Sequence, residues 1–581
     1  MATKVSSYVL GINGLGILPS ACLLKDGDLV AMAEEERFTR IKGSTGLMPI
    51  QAVGYCLESA GIGMHHLDRV MFAWDCNYYP WGMLHFLSKT LFKGQSKGNR
   101  KRGLQLVWRE LRKYHPSQVQ SRYYADFSQL SADGRLPQLE FVSHHHAHAA
   151  SAYYSSGFKQ AHVLVIDGSG ESQSTTLWFG KGLDLKLIKT FNIPNSLGWF
   201  YQTITEFLGF QPNNHEGKTM ALAAYGRYNA ALDEKVNQLI CSDGQGNYTF
   251  NPIYAFAGTP GKGHVFSEEL KELLGEPRQA GEPITDYYKD LAFATQKRLE
   301  LLVVELLSDL AKDSEFSGNL CLAGGVGLNC KMNGIISELP YIKQLFIPPF
   351  TGDNGTSYGA AKLGMPKTER LAHAYWGPAF AAESVEKNLQ KFKLKYTKEE
   401  YISDAVAELL CQNKIVAWFQ GRMEVGARAL GARSILANPT QANLRDYINA
   451  KVKGRELWRP FAASIIAEKK FDFITEDVNE PFMTKAIKVR EEMAPRIPAV
   501  IHVDQTSRFQ IVSKEDNSKY HKLISKLGDI TGVYAVLNTS FNLNEEPIVC
   551  TPEEAIRAFL NSGIDYLAIE DFLISKESNA R

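Results

Sequence analysis

Two stretches of this sequence share one pattern of strands and glycine turns, and this repetition constrains the fold more than any other feature. The first, which begins at Tyr8, reads "YVLGINGLGILPSACLLKDGDLVAMAEE" and alternates apolar runs typical of strands with Gly-rich turns. The second, which begins at Ala161, reads "AHVLVIDGSGESQSTTLWFG" and has an aspartate at the end of its first apolar run. The repetition predicts an α/β protein in which two related lobes face each other across a cleft.

The chain is too long for one compact core, since 581 residues predict two or more domains. Helical spacing of apolar residues between Pro283 and Lys312 predicts a long helix. The pattern weakens after Pro366, and the stretch "PKTERLAHAYWGP" is the predicted junction. A new αβ pattern begins at Lys414, with the candidate strands "KIVAWFQG", "FAASIIAE", "VYAVLNTSF" and "YLAIEDFLI".

Composition and charge narrow the class of partner. The formal net charge of +1 gives no global attraction to nucleic acid or to an anionic membrane, so neither is expected as a partner. The eight cysteines form no CxxC pair, and the sequence shows neither a signal core nor a long apolar run. These features predict a cytoplasmic enzyme with reduced thiols.

A basic segment between Ser88 and His115 includes Arg100, Lys101 and Arg102. Such a run is typical of solvated helices and a loop. The alternative interpretation is a lid that attracts an anionic group, such as a nucleotide or acceptor phosphate.

Four histidines in the stretch "SHHHAHAAS" indicate a metal site. On a helix, His144 and His148 are four residues apart and share a face, which allows both imidazoles to ligate one divalent cation. His145 is three residues before His148, so spacing alone does not choose between His144 and His145. Asp167 and Asp353 both stand in Gly-bounded turns, and mixed imidazole–carboxylate ligation suits iron, manganese or zinc better than calcium.

Glycine turns supply the second part of the site hypothesis. Gly168 and Gly170 in "DGSGES" leave backbone N–H groups unshielded, as phosphate binding requires. Gly324 and Gly325 in "AGGVGLN" allow the backbone to approach a purine or ribose closely.

Long motifs then carry a resemblance to a known family. They are "EEERFTRIKG", "HHHAHAASAYYSSGF", "IDGSGE", "NHEGKTMALAAYG", "LAGGVGLNCKMNG", "GDNGTSYGAA", "GRMEVGARALGARSILANP", "VKGRELWRPFAASI", "IPAVIHVDQTSRFQIV" and "LNTSFNLNEEPIVCTPEEA". The chain resembles the NodU/CmcH/TobZ carbamoyltransferases over nearly its whole length. The resemblance implies a Kae/TsaD-like domain of the actin–hexokinase type at residues 1–368 and a YrdC-like α/β domain with a twisted mixed sheet at 369–581.

The resemblance also implies a two-step reaction. The YrdC-like domain makes carbamoyl-adenylate from ATP and carbamoyl phosphate, and the Kae-like domain transfers the carbamoyl group to a small-molecule acceptor, through a hydroxyl or an amine. The residues that it assigns to catalysis are Lys42, Lys453, Arg459, Arg508 and Ser540. Those that it assigns to the nucleotide and its surroundings are Gly168, Gly170, Gly324, Gly325, Asn329, Arg428, Arg433 and Asn538.

The family match places a metal at His144, His148, Asp167 and Asp353, and so selects His144 over His145. Fe²⁺ is the expected ion, with Mn²⁺ or Zn²⁺ as alternatives, and Mg²⁺ is expected with ATP. A homodimer is left open.

One departure separates this chain from its relatives. Many of them carry a His-Asp pair just before the "SA" that opens the second strand, where this chain has Ile17, Leu18 and Pro19. Three explanations stay open: another residue activates the acceptor, the acceptor is an amine, or activity is reduced. The rival functions are a tRNA threonylcarbamoylation-type enzyme and a non-catalytic adenylate-binding protein.

Overall fold

The computed structural model describes residues 6–82, 84, 108–131, 134–255 and 265–579. The chain forms two compact units, Met1–Val30 with Gly46–Arg370, and Ala31–Thr45 with Leu371–Arg581. The centre of the basic segment, including Arg100, Lys101 and Arg102, lies outside the described residues. The mixed sheets and helices of both units confirm the predicted α/β class.

The first sheet of unit 1 forms from the N-terminal repeat. Its strands are β1 (Tyr8–Asn13), β2 (Ser20–Lys25), β3 (Asp28–Glu34), β4 (Arg69–Phe72) and β5 (Leu139–Phe141). They follow the order β3-β2-β1-β4-β5, with β1 antiparallel to β2 and parallel to β4. Asp26 and Gly27 form the predicted turn, and both have positive φ, as a two-residue hairpin turn requires.

The second sheet of unit 1 forms from the other repeat. Its strands are β6 (Gln160–Ile166), β7 (Gln173–Lys181), β8 (Asp184–Asn192), β11 (Asn319–Ala323) and β12 (Gln344–Phe346), and a small separate ribbon pairs β9 (Ile240–Ser242) with β10 (Tyr248–Phe250). The order β12-β11-β6-β7-β8 repeats that of the first sheet, and so do the antiparallel β6–β7 and parallel β6–β11 pairings. The repeated topology confirms the two related lobes and is that of the actin–hexokinase type.

Helices cover these sheets. They are α2 (Ile50–Ala60), α3 (Pro116–Phe127), α4 (His144–Ser156), α5 (Leu197–Phe207), α6 (Glu216–Ala223), α7 (Ala230–Leu239), α8 (Glu268–Leu274), α9 (Asp286–Leu310), α10 (Cys330–Ser337) and α11 (Thr356–Gly364), while α1 (Glu36–Thr39) belongs to the other unit. The long helix predicted between Pro283 and Lys312 is α9.

Small residues let α11 approach both lobes closely. It packs against β1 of the first lobe and α4 of the second. A Cβ atom at Gly359 would lie 1.7 Å from the Ala147 carbonyl oxygen, and one at Gly11 would lie 1.9 Å from the Ser357 carbonyl oxygen. Any side chain at either glycine would force the two elements apart, so these contacts set the distance between the lobes.

Unit 2 is organised around one mixed sheet of eight strands, in the order β13-β22-β21-β14-β15-β20-β16-β19. The strands are β13 (Thr397–Lys398), β14 (Val416–Phe419), β15 (Arg433–Ala437), β16 (Ala462–Ile466), β19 (Phe509–Val512), β20 (Ala535–Ser540), β21 (Tyr566–Ile569) and β22 (Phe572–Ser575), and a separate ribbon pairs β17 (Ile487–Lys488) with β18 (Thr506–Ser507). The helices are α12 (Ala382–Lys391), α13 (Ile402–Cys411), α14 (Ala442–Tyr447), α15 (Lys470–Phe473), α16 (Ser518–Thr531) and α17 (Pro552–Leu560).

Both faces of this sheet are buried, which explains why its strands read as continuous apolar runs. Along β14, Val416 and Trp418 belong to the core shared with α13 and α16, whereas Ala417 and Phe419 belong to the core shared with α12 and α17. Each apolar residue of the strand therefore has a packing partner.

One strand prediction is wrong in its extent. The run "YLAIEDFLI" is a hairpin of β21 and β22, paired through Ile569 and Phe572, and not one strand. Glu570 has φ 48°, in the left-handed region of a tight turn. The two acidic residues at the centre of the run are the turn.

The close approach at Gly359 predicts a large loss of stability for Gly359→Ala. We expect the free energy of unfolding to fall by about 1–3 kcal/mol or more, because the helices must separate to admit the methyl group. Gly217→Ala on α6 is the control, since a Cβ atom there would meet nothing within 4 Å. Denaturant unfolding that gives equal stability for the two variants would contradict this packing.

Candidate metal and anion sites

Unit 1 brings His144, His148, Asp167 and Asp353 together, with one ligand atom from each within 4.8 Å of the others. His144 and His148 lie on successive turns of α4, Asp167 directly follows β6, and Asp353 begins the 3₁₀ turn before α11. The Nε2 atoms of the two histidines are 3.1 Å apart, and Asp353 Oδ1 is 3.7 and 3.6 Å from them. Asp167 Oδ2 is 3.6 Å from His144 Nε2. All four residues are buried.

Surrounding groups orient these ligands. Nδ1 of His144 is 3.1 Å from the Ala73 carbonyl oxygen, which can only accept, so Nδ1 carries a proton and Nε2 is the nitrogen left to ligate a metal. The Trp74 ring stacks on the imidazole with 4.1 Å between centroids. Oδ1 of Asp167 accepts a hydrogen bond from Gly325 N at 2.9 Å, which leaves Oδ2 toward the cluster.

Charge in the cluster favours a cation. Burial alone would raise the pKa of Asp353, but His144 and His148 hold it below its ordinary value, and the pKa of Asp167 is also lowered against burial and Asp353. Burial would lower the pKa of His144, but Asp353 and Asp167 outweigh it and raise that pKa well above its ordinary value. Two ionised carboxylates thus draw positive charge into a buried site. Two imidazole nitrogens and two carboxylate oxygens fit a divalent transition metal.

His145, the alternative that spacing left open, lies outside this group. Its Nδ1 is 3.0 Å from the Thr176 hydroxyl oxygen. Burial lowers its pKa well below the ordinary value, so the ring is neutral. The structure therefore pairs His148 with His144.

The predicted glycine turns lie beside the ligands. Gly324 has φ 91°, and a Cβ atom there would lie 2.2 Å from the Ile166 carbonyl oxygen. A Cβ atom at Gly170 would lie 2.6 Å from His145 Cδ2, whereas one at Gly168 would meet only Trp199, at 3.6 Å. Gly324 and Gly170 are thus required for close packing around Asp167 and α4.

Asn329, the remaining predicted nucleotide residue of unit 1, already has partners. Its Oδ1 accepts from Met332 N at 3.0 Å and so caps α10, and its Nδ2 donates to Gln296 Oε1 at 2.9 Å. This placement gives Asn329 a structural role.

Glu171 is a positioning residue that sequence reasoning did not single out. Its buried Oε1 accepts from the backbone N–H of His144 at 2.9 Å and of Asp75 at 2.7 Å. A carboxylate at the N-terminus of α4 is also favoured by the helix dipole. The signal was present, because Glu171 ends the quoted motif "IDGSGE".

The position of the absent His-Asp pair is close to the metal cluster. A Cβ atom on Gly352, next to Asp353, would lie 3.7 Å from Leu18 Cδ1. Asn13 Nδ2 donates to the carbonyl oxygens of Ile17 and Leu18, at 3.0 Å each. The loop thus presents an apolar side chain beside the cluster, in place of an acid–base group.

In unit 2, Lys453 is buried against the end of β20. Its Nζ donates to the Ser540 carbonyl oxygen at 2.5 Å and to Asn542 Oδ1 at 2.8 Å. The Ser540 hydroxyl is 3.3 Å from Nζ and donates to Asn542 Oδ1 at 2.6 Å. The structure thus brings the predicted residues Lys453 and Ser540 together.

Other cations surround Lys453. Burial, and then repulsion from Arg455, Arg459 and Lys42, holds the pKa of Lys453 well below its usual range. Lys42 belongs to unit 2, although the family match placed residues 1–368 in the N-terminal domain.

The arginines of this cluster repel one another as well. Burial, and then Arg459 and Arg508, lower the pKa of Arg455. Burial and Arg508 lower the pKa of Arg459 against the attraction of Glu456. Guanidinium groups stay charged at neutral pH, so an anion bound here would relieve the repulsion. Nε of Arg508 is buried and, in the described part of the chain, has no hydrogen-bond partner.

Two predicted nucleotide residues of unit 2, Arg433 and Asn538, form hydrogen bonds with the protein backbone. Arg433 is fully buried, and its terminal nitrogens donate to four carbonyl oxygens, those of Gln420, Ala432, Pro378 and Gly421. Asn538 is buried too, and its Nδ2 donates to Ala429 O at 3.2 Å. These contacts give Arg433 and Asn538 structural partners, and their nucleotide role stays a prediction.

The fold and these buried clusters define an enzyme of two units, with a candidate metal site in one and a candidate anion site in the other. Two family models match the chain: "Carbamoyltransferase N-terminus" over residues 10–362 and "Carbamoyltransferase C-terminus" over 407–576. In the described residues, no helix is both long enough and apolar enough to cross a membrane.

Similar proteins agree with these matches. The uncharacterised protein sll1178 of Synechocystis sp. is 34% identical over 608 aligned positions, which cover 98% of this chain and 97% of the relative. The nodulation protein NolNO of Sinorhizobium fredii is 34% identical over 96% of this chain and 79% of its own length. The 3'-hydroxymethylcephem-O-carbamoyltransferase of Amycolatopsis lactamdurans is 32% identical over 46% of this chain and 51% of its own. The chain belongs to the carbamoyltransferase family and is a carbamoyltransferase enzyme.

The geometry of the four-residue cluster predicts metal-dependent stabilisation. A divalent metal at about 100 times its Kd should stabilise the metal-free protein by about 2.7 kcal/mol, measured as a rise in Tm with Fe²⁺ under anaerobic conditions, Mn²⁺ or Zn²⁺. His148→Ala should lose this rise. His146→Ala, on the same helix but outside the cluster, should keep it. Loss of the rise in His146→Ala alone would contradict the ligand set.

Glu171→Ala should weaken metal binding without removing a ligand. We expect affinity to fall about 10- to 100-fold, because α4 and the Asp75 loop lose their shared acceptor. Calorimetric titration of metal-free protein measures this. Unchanged affinity in a folded variant would leave Glu171 without a positioning role.

Proposed function

We propose that this carbamoyltransferase makes carbamoyl-adenylate from carbamoyl phosphate and ATP and transfers the carbamoyl group to a hydroxyl of a small molecule. In the first step water hydrolyses carbamoyl phosphate to carbamate and phosphate. A carbamate oxygen then attacks the α-phosphorus of ATP, and pyrophosphate leaves. In the second step the acceptor oxygen attacks the carbamoyl carbon, AMP leaves, and the acceptor proton passes to a base.

The cation cluster of unit 2 is the observation that carries the first step. Lys453 is buried beside the partly buried Arg455 and Arg459, and Arg508 in turn repels these two arginines, which is costly until an anion binds. Carbamoyl phosphate and carbamate are both anions. Arg459 and Arg508 offer planar guanidinium forks for their oxygens, and Lys453 offers a point charge fixed by Ser540.

Arg428 is our candidate for the ATP phosphates. It stands at the tip of a loop of unit 2, next to the exposed Ala427, and is itself only partly buried. Mg²⁺ accompanies ATP in this proposal, since it neutralises phosphate charge in phosphoryl chemistry.

The transfer step belongs to unit 1. Its cluster would hold Fe²⁺, Mn²⁺ or Zn²⁺ through His144, His148, Asp167 and Asp353. A bound divalent cation supplies positive charge for adenylate phosphate oxygens and favours departure of AMP. Ala73 fixes the tautomer of His144, Gly325 fixes Asp167, and burial of the cluster excludes water.

The acceptor class follows from a relative. The name 3'-hydroxymethylcephem-O-carbamoyltransferase describes transfer to a hydroxymethyl group, and this supports a hydroxyl acceptor on a small molecule here. With Leu18 where many relatives have an acid–base pair, we assign no catalytic base to residues 17–19.

The two-unit proposal predicts that the half-reactions separate. Without acceptor, ATP, Mg²⁺ and carbamoyl phosphate should give pyrophosphate and carbamoyl-adenylate, followed by a coupled assay and by mass spectrometry. Arg508→Ala should abolish this step, whereas His148→Ala should retain it and lose transfer to the acceptor. Arg490→Gln, an exposed arginine of unit 2 paired with Glu492, is the matched control.

Two results would contradict the proposal. Folded wild-type protein that releases no pyrophosphate with both substrates would exclude adenylate formation. Equal loss of pyrophosphate release in Arg508→Ala and His148→Ala would exclude the division between the units.

A further inference from the structure

The loop between Glu424 and Arg433, which carries Arg428, is held by a buried carboxylate. Oε1 of Glu424 accepts hydrogen bonds from Leu430 N at 2.7 Å, Ala432 N at 3.3 Å and Arg433 N at 3.2 Å. A carboxylate that accepts several backbone N–H groups fixes the path of a turn. The second half of the loop is therefore rigid.

Side chains from other elements of unit 2 hold the same half of the loop. Tyr375 OH and Gln510 Nε2 each donate to the Leu430 carbonyl oxygen at 2.7 Å. Asn538 Nδ2 donates to the Ala429 carbonyl oxygen. These contacts begin at Ala429, so they hold the part of the loop that follows Arg428. Other side chains hold the part that precedes it.

Gly426 lies two residues before Arg428, and residues far away in sequence hold both of its backbone polar groups. Glu34 Oε1 accepts from Gly426 N at 2.6 Å, and Arg37 Nη2 donates to the Gly426 carbonyl oxygen at 2.9 Å. Gly426 has φ 105°, a conformation that favours glycine, so its contacts define an unusual backbone geometry.

The two side chains are themselves fixed. Arg37 Nε is 3.5 Å from Glu34 Oε2, and Arg37 Nη1 is 2.6 Å from Glu36 Oε1. Glu36 Oε2 accepts from Gly43 N at 2.6 Å. Burial would lower the pKa of Arg37, but Glu36 and Glu34 outweigh it and raise that pKa, so the group stays charged. Burying a charged guanidinium group is costly unless charged and hydrogen-bonding partners surround it, and here Glu34, Glu36 and the Gly426 carbonyl oxygen are those partners.

The same N-terminal segment reaches a second functional loop. Arg40 donates to the carbonyl oxygens of Pro547 and Ile548 at 2.7 Å each and pairs with Glu554 at 3.3 Å. These residues follow the stretch with Ser540 and Asn542, which holds Lys453. Residues 31–45 thus contact both loops of the proposed first step.

We propose that Glu34 and Arg37 are positioning residues for Arg428: they clamp the Gly426 peptide and so set where the loop presents its guanidinium to the ATP phosphates. This inference rests on the proposed role of Arg428 in nucleotide binding. It assigns a segment of the N-terminal sequence to the first half-reaction, which takes place in unit 2.

The test compares KM values for the two substrates of pyrophosphate release. Glu34→Gln keeps the size of the side chain but removes the charge that orients Arg37, and it should raise the KM for ATP about tenfold. The KM for carbamoyl phosphate should not change, because the side chains that hold Gly426 are Glu34 and Arg37, whereas carbamoyl phosphate is assigned to Lys453, Arg459 and Arg508. Arg37→Lys, which keeps charge but loses the fork, should act in the same way and serves if Glu34→Gln does not fold.

A double-variant cycle separates positioning from general loss of structure. If Glu34 acts through Arg428, the effects of Glu34→Gln and Arg428→Ala on the KM for ATP will not add. Glu140→Gln, which removes the carboxylate of the Arg69–Glu140 pair in unit 1, is the control and should leave both KM values unchanged.

Each contrary result has a distinct meaning. An unchanged KM for ATP in Arg428→Ala would overturn the nucleotide role of Arg428 and with it this inference. An effect of Arg428→Ala with none from Glu34→Gln or Arg37→Lys would overturn the positioning role alone. A rise in both KM values together with a lower Tm, or effects that add in the cycle, would reduce the clamp to a structural contact.

Discussion

The contact between α11 and α4 is the constraint on which the candidate metal site depends. Gly359 lets the backbones of the two helices meet at Ala147, and Gly11 lets α11 lie directly on β1. Because Asp353 precedes α11 and the two histidines lie on α4, this contact brings a carboxylate to the imidazoles. Three elements that are distant in sequence thus converge on one buried point, and the helix contact sets the ligand distances.

Electrostatics divides the two units. The cluster of unit 1 gathers two carboxylates whose pKa values are lowered, and it is suited to a cation. The cluster of unit 2 gathers lysine and arginine side chains whose pKa values are lowered by burial and by one another, and it is suited to anions. A near-zero net charge hides this contrast, because opposite local excesses cancel in the sum. In each cluster, a bound ligand of opposite charge would reduce the repulsion between like charges.

Residues 31–45 belong to unit 2, although the residues on both sides of them in the sequence belong to unit 1. The chain enters unit 2 after its first hairpin, supplies Glu34, Arg37, Arg40 and Lys42, and returns to unit 1 at Gly46. The acidic and basic residues of "EEERFTR" read as a charged turn, yet Glu34 and Arg37 are buried and bind backbone groups. These charged side chains can be buried because hydrogen bonds to the Gly426 backbone and ion pairs with carboxylates compensate for the loss of water.

The sequence by itself determined the α/β class, the repeated hairpins and the positions of α4 and α9, because local periodicity carries that information. Spacing left His144 and His145 open as metal ligands, and the family resemblance chose His144. The sequence could not show that Glu570 and Asp571 in "YLAIEDFLI" form a turn, since an apolar run with central acidic residues fits either a strand or a hairpin. Nor could it distinguish Arg428 at a loop tip from Arg433 five residues later, whose guanidinium is bound by four carbonyl oxygens. Only tertiary structure decided these surroundings, and the attachment of Glu34 to Gly426 across 392 positions, because burial and hydrogen-bond partners depend on which distant backbone lies beside each side chain.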